Sequence, residues 1–243
     1  MQFHVQRLGS GPPVVMLHGL LIGSLASWYF TTAPILKRTN SVLLYDLRGH
    51  GRSERVASGY DVDTMTTDLA ALTADWQHEP MTLVGHSYGG LIALRFALRH
   101  PERVARLVLV EAPLPPSQMG EMQAFLDRTP DEMVATLPAE MRGFFERDSR
   151  QSRRLLRSLH FLVMQSTLAA DLQAEGDIDD EVLATVDCPV LCVYGAKSSC
   201  RPVGDRLASV MPNAELVELP GGHYLHLDCS EALTQHIVEA VSA

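Results

Sequence analysis

Six short, mostly apolar runs punctuate the chain: PVVMLH (13–18), SVLLYD (41–46), MTLVGH (81–86), VARLVLVE (104–111), PVLCVYG (189–195) and AELVEL (214–219). Most are nearly continuous rather than alternating, the pattern of strands covered on both faces. Between them, stretches such as 63–76 and 88–98 repeat apolar residues at helical spacing, and His100-Pro101 stops the second of these. Strands joined by helices predict an α/β fold: a mostly parallel central sheet flanked by helices. Residues 113–187 break the rhythm. They hold no strand pattern and read as several helices, opened by Pro113, Pro115 and Pro116. We expect a helical cap or lid there, inserted between a core part at 1–112 and a second at 188–243, the whole forming one domain. A last helix over about 231–241 closes the chain.

Composition narrows the function classes. A chain of 243 residues fits one α/β domain. The net charge of −9 argues against general affinity for nucleic acid or an anionic membrane. The N-terminal MQFHVQRLGSGPPVVML has no basic region followed by an apolar one, so no signal peptide is expected. No apolar run reaches the roughly 20 residues that span a bilayer. The cysteines, Cys188, Cys192, Cys200 and Cys229, form no CxxC pair and match no histidine spacing, so no metal site is read from them. All four are expected to be reduced thiols in a cytoplasmic protein.

Three motifs carry chemistry. GHSYGG (85–90) lies directly after TLV and before an apolar helix. A strand–turn–helix of the form G-x-S-x-G holds a serine on a turn so tight that only small neighbours fit, which makes Ser87 the candidate nucleophile. HGL (18–20) follows the first apolar run; the backbone N–H groups of Leu20 and Tyr88 are the candidate oxyanion-hole donors. His18 itself reads as a loop-ordering residue. LPGGHYLHLD (219–228) follows the last run and offers His223 as general base, with His226 as its rival.

Together with YDLRGHGRS (45–53), these motifs resemble the α/β-hydrolase superfamily over nearly the whole chain. YDLRGHGRS is similar to that family's loop after its fourth strand, and Asp46, Arg48 and Ser53 are read as ordering it. In most relatives the catalytic acid follows the strand matching 189–195. Here the turn reads AKSSC, with Ser198 and Ser199 where an aspartate would stand. The resemblance offers a second solution, used by small intracellular serine esterases and thioesterases: a carboxylate one strand earlier, which here is Glu111. Adjacent strands lie about 4.8 Å apart, so two neighbouring strand ends can serve one imidazole. The order Ser87, Glu111, His223 follows that of the superfamily. Asp205, the nearest acid downstream of the turn, stays open as an alternative.

The resemblance implies a serine hydrolase that cleaves a carboxylic ester of a small, largely apolar acyl substrate through an acyl-enzyme, with no metal or organic cofactor. Thioester hydrolysis on CoA or acyl carrier protein, lactone opening, carbon–carbon bond hydrolysis and cofactor-free lyase chemistry use the same triad. A ligand-binding receptor on a hydrolase scaffold is the non-enzymatic alternative. The expected partner is a small ester or thioester, not nucleic acid or a membrane. A carrier protein finds little support. Arg142, Arg147, Arg150, Arg153, Arg154 and Arg157 read as the solvated face of a cap helix paired with Glu146 and Asp148, rather than as a phosphate landing site. Phe144, Phe145, Phe161, Leu162 and Met164 read as cap packing or an acyl pocket.

Overall fold

The computed structural model describes residues 1–76, 78–115, 126–137, 139–147 and 149–243, with 139–141 and 144 described by backbone alone. Seven strands, β1 (Val5–Leu8), β2 (Pro13–Leu17), β3 (Ser41–Tyr45), β4 (Met81–His86), β5 (Val104–Val110), β6 (Val190–Gly195) and β7 (Ala214–Leu219), form one sheet. Its order is β1-β3-β2-β4-β5-β6-β7. Only β1 runs antiparallel, against β3; the other pairs are parallel. The six apolar runs therefore supply the parallel strands, as their pattern predicts. β1 escapes the pattern because VQRL is a short edge strand with two polar residues, and none of its side chains is fully buried.

The α-helices whose bounds fall among the described residues are α1 (Ala26–Tyr29), α2 (Ala33–Leu36), α3 (Val62–Leu72), α4 (Tyr88–Arg99), α5 (Pro130–Ala135), α6 (Ala139–Glu146), α7 (Arg150–Met164), α8 (Leu168–Gln173), α9 (Asp180–Leu183), α10 (Arg201–Val210), α11 (Leu225–Asp228) and α12 (Ser230–Ser242). Two cores form because side chains alternate across a strand. Val15, Leu17, Leu43, Leu83, Leu107 and Leu109 pack on one face with α3, α4 and α10. Their strand neighbours Val14, Met16, Val42, Leu44, Val84 and Val108 pack on the other with Trp28, Leu36 and Ile237. Burial on both faces is why most of the runs show no alternation in sequence; β7, AELVEL, at the sheet edge, exposes its two glutamates.

Helices α5, α7, α8 and α9 join the first core: Met133, Leu159, Leu162, Leu168, Leu172 and Leu183 share it with Tyr60, Met65 and Tyr88. Two carboxylates tie this segment to the start of α3, Asp171 accepting from Tyr60 N at 2.8 Å and Glu175 from Val62 N at 2.6 Å. The expected cap segment, 113–187, includes 116–125, 138 and 148, which lie outside the described residues; Pro116, Asp148 and the side chain of Phe144 are among what is not described. Phe145 and Leu162 are buried in the packing, Met164 is exposed, and Phe161 sits beneath the Arg55 guanidinium at 6.0 Å. Arg147, Arg150, Arg153, Arg154 and Arg157 are exposed, whereas Arg142 donates to the Leu137 carbonyl at 2.9 Å. Among the described residues no helix is long and apolar enough to cross a membrane.

Candidate active site

The parallel strands deliver four pieces of chain to one end of the sheet. Ser87 follows β4, Glu111 follows β5, the turn 196–200 follows β6, and His223 lies beyond β7; these strands are consecutive neighbours. The carboxyl ends of parallel strands are where ligands of open α/β sheets bind.

Ser87 and Glu111 kink their chains alike. Each has φ 54°, a left-handed conformation that costs an ordinary residue about 1–3 kcal/mol. Their strands hold them in it: Ser87 N donates to Val110 O at 2.8 Å, and Glu111 N to Val193 O at 3.0 Å. The elbow needs its glycines for space. A Cβ on Gly85 would meet the Gly89 carbonyl oxygen at 2.3 Å, and one on Gly89 the His18 carbonyl oxygen at 2.6 Å.

A chain of hydrogen bonds runs through His223. Its Nε2 lies 3.0 Å from Ser87 Oγ and its Nδ1 3.2 Å from Glu111 Oε2. With the carboxylate ionised, Nδ1 carries the proton and Nε2 is left to accept from the serine. Glu111 is wholly buried (0% exposed), where a charge is tolerable only with full hydrogen bonding. It has that bonding. Gly195 N donates to Oε1 at 2.5 Å, and the Ser198 hydroxyl donates to Oε2. Ser198 Oγ in turn accepts from Cys200 N at 3.1 Å. The serine in the usual acid's place is thus a partner of the glutamate that stands one strand away.

Burial pulls the His223 imidazole down, but hydrogen bonding and charge from Cys200 and Glu111 outweigh it, so it lies raised above the ordinary 6.5. Asp205 is not part of this chain: it is 63% exposed and pairs with Arg201 at 2.5 Å on the surface of α10. The rival His226 packs against Trp28 and His86, at centroid distances of 6.3 and 4.8 Å, and burial lowers it to about 4.

The sequence reading missed His86. This buried ring donates from Nε2 to the carbonyl of His223 at 2.9 Å, fixing the backbone that presents the imidazole. Burial, then His226 and His223, hold it well below 6.5, so it stays neutral and keeps one donor nitrogen. Its place beside Ser87 in GHSYGG was the available signal.

The loop carrying Leu20 is stitched to YDLRGHGRS, which here follows β3, the third strand. His18 Nε2 accepts from Leu47 N at 3.0 Å and its Nδ1 donates to Gly19 O at 2.7 Å. His50 repeats the device, accepting from Leu21 N at 2.8 Å and donating to Arg48 O at 2.7 Å. Burial depresses both rings, His50 to about 3, so neither competes as a base. Asp46 Oδ1 accepts from Leu25 N and Oδ2 from Arg52 N, both at 2.8 Å, while Arg48 grips Asp68 with two bonds of 2.8 Å. Ser53 Oγ donates to Asp46 O at 2.5 Å. The ordering roles expected of Asp46, Arg48 and Ser53 are thus visible as hydrogen bonds. This framework presses the loop on the elbow, since a Cβ on Gly19 would stand 3.0 Å from Ser87 Cβ. Tyr88 opens α4, and an amide at the first position of a helix has no partner within it. Its hydroxyl donates to Glu175 Oε1 at 3.0 Å, joining the elbow to the chain just after α8.

Fold and site together define the class. Residues 12–161 match the family described as the alpha/beta hydrolase fold, and the chain belongs to that family. A non-heme chloroperoxidase of Streptomyces lividans is 30% identical over 234 residues, 87% of this chain and 84% of that protein. Among solved structures, the esterase EaEST of Exiguobacterium antarcticum superposes with TM-score 0.75 at 25% identity, covering 99% of this chain and 96% of that one. The enol-lactonase of Burkholderia xenovorans superposes with TM-score 0.80 at 20% identity, covering 99% and 96%, a likeness of fold.

Proposed function

We propose that this hydrolase-fold protein is a serine hydrolase that cleaves small, largely apolar carboxylic esters through an acyl-enzyme. The observation that carries the reading is the continuous chain Ser87–His223–Glu111, with links of 3.0 and 3.2 Å. His223 takes the serine proton as Ser87 attacks the carbonyl, and the backbone N–H groups of Leu20 and Tyr88 stabilise the oxyanion. Glu111 holds the tautomer and offsets the imidazolium charge. His223 then protonates the leaving alkoxide, and water releases the acid by the same steps in reverse roles. An acid missing from the AKSSC turn is the strongest sequence feature for a mere binding protein. The bond that ties Glu111 into that turn through Ser198 supports the hydrolase reading over that one. The four cysteines are free thiols, which supports a cytoplasmic placement.

The test pairs turnover of short p-nitrophenyl acyl esters with labelling by a fluorophosphonate probe. Wild type should turn over the ester and carry the label on Ser87. Ser87→Ala should lose the label and about 10⁴–10⁶-fold in kcat. A wild type that neither turns over ester nor takes the label would overturn the reading in favour of a binding protein.

A further inference from the structure

The side of His223 turned away from Ser87 carries a donor set of its own. Cys200 Sγ lies 3.8 Å from His223 Nδ1, and Glu111 Oε2 lies 3.2 Å from the same nitrogen. One donor atom from each of Glu111, Cys200 and His223 lies within 4.8 Å of the others. Thiolate, imidazole and carboxylate are the ligand types of zinc, with bonds of about 2.3, 2.0–2.1 and 2.0–2.2 Å. At tetrahedral angles such bonds set the donors roughly 3.3–3.6 Å apart; the pairs at 3.2 and 3.8 Å lie within a few tenths of an ångström of that range, and side-chain rotation would close the third, which is no more than 4.8 Å. Spacing along the chain hides this set, since its members come from the ends of β5, β6 and β7.

We propose that Glu111, Cys200 and His223 form a binding site for Zn²⁺ or a similar thiophilic divalent cation, and that its occupancy switches the enzyme off reversibly. The ion takes the Nδ1 lone pair and the Cys200 thiolate, and the fourth position falls to water. The thiol proton leaves to solvent. The imidazole proton moves from Nδ1 to Nε2, which then faces Ser87 as a donor and can no longer accept its proton. The route in is short: Ala196, Lys197 and Ser199, in the turn beside Cys200, are exposed. The inhibition rests on the serine-hydrolase reading, whereas the binding does not.

The test titrates Co²⁺ as a spectroscopic probe into the intact protein and follows ester turnover under Zn²⁺ in parallel. One equivalent of cobalt should raise a thiolate-to-cobalt charge-transfer band that Zn²⁺ bleaches, and turnover should fall with Zn²⁺ and return with chelator. Even outer-shell partners of a metal are worth about 10–100-fold in affinity, so Cys200→Ala should abolish the band and weaken inhibition by at least about 100-fold. Cys200→Ser, closer in shape, should do the same and guards against a folding defect in the alanine variant. No band in wild type, a band surviving in both variants, or Zn²⁺ inhibition unchanged in both would each overturn the proposal. If wild type shows no ester turnover, the cobalt band and its loss still decide the site while the hydrolase reading fails alone.

Discussion

Ser198 offers a graded test of how the displaced acid is held. Its hydroxyl is one of three hydrogen-bond partners of a carboxylate with no solvent exposure, beside Gly195 N and His223 Nδ1. A hydrogen bond to a charged group contributes about 1.5–3 kcal/mol, and Ser198→Ala removes one. It also strands the Cys200 amide, which donates to Ser198 Oγ at 3.1 Å, at a cost of about 1 kcal/mol more. The sum, about 2.5–4 kcal/mol, corresponds to roughly 5–16 °C in Tm for a domain of this size. The effect on kcat should be smaller. The bond favours ionised Glu111 in the ground state and transition state alike, so uniform stabilisation largely cancels and about a tenfold loss is expected. Differential scanning fluorimetry and ester turnover read the two quantities, and Ser198→Thr, which keeps the hydroxyl, should recover most of both. A Ser198→Ala protein with unchanged Tm and kcat would refute the idea that this hydroxyl supports the buried charge.

The raised His223 gives stability and activity opposite pH trends. Stability from its charged form is fully present below about 6.5 and is lost as pH rises through the raised value, whereas turnover needs the neutral ring and rises over that same window. The acid limb of kcat/KM should therefore have its midpoint above 6.5, and Glu111→Gln should move it down; a limb unmoved by that change would separate the two residues. Asp205→Asn removes one exposed partner of Arg201, so kcat should stay within about twofold and stability within about 1 kcal/mol. A large loss of turnover with stability retained would reinstate Asp205 as the acid.

Much of this arrangement is visible in the amino-acid order because it is local. The six parallel strands announce themselves as apolar runs, and GHSYGG names its own turn through glycines whose lost Cβ atoms leave room for neighbouring carbonyls. The hidden parts are the ones built between distant segments. Ser198 reaches Glu111 across 87 residues and His86 reaches His223 across 137, and no periodicity records either bond. β1 is hidden for the opposite reason: a half-exposed edge strand buries too little to leave an apolar signature. The replacement of the usual acid by Ser198 looked like a deficit in sequence. In three dimensions it is a donor for a carboxylate that enters from the next strand.

The most direct measurement of the central claim is kcat for a short p-nitrophenyl ester with Glu111→Gln, whose fold is verified by its unfolding curve. Loss of a triad acid leaves the imidazole in the wrong tautomer, and a fall of about 10³–10⁴-fold is expected. A folded Glu111→Gln protein that turns over ester at the wild-type rate would contradict the account and remove this carboxylate from the mechanism.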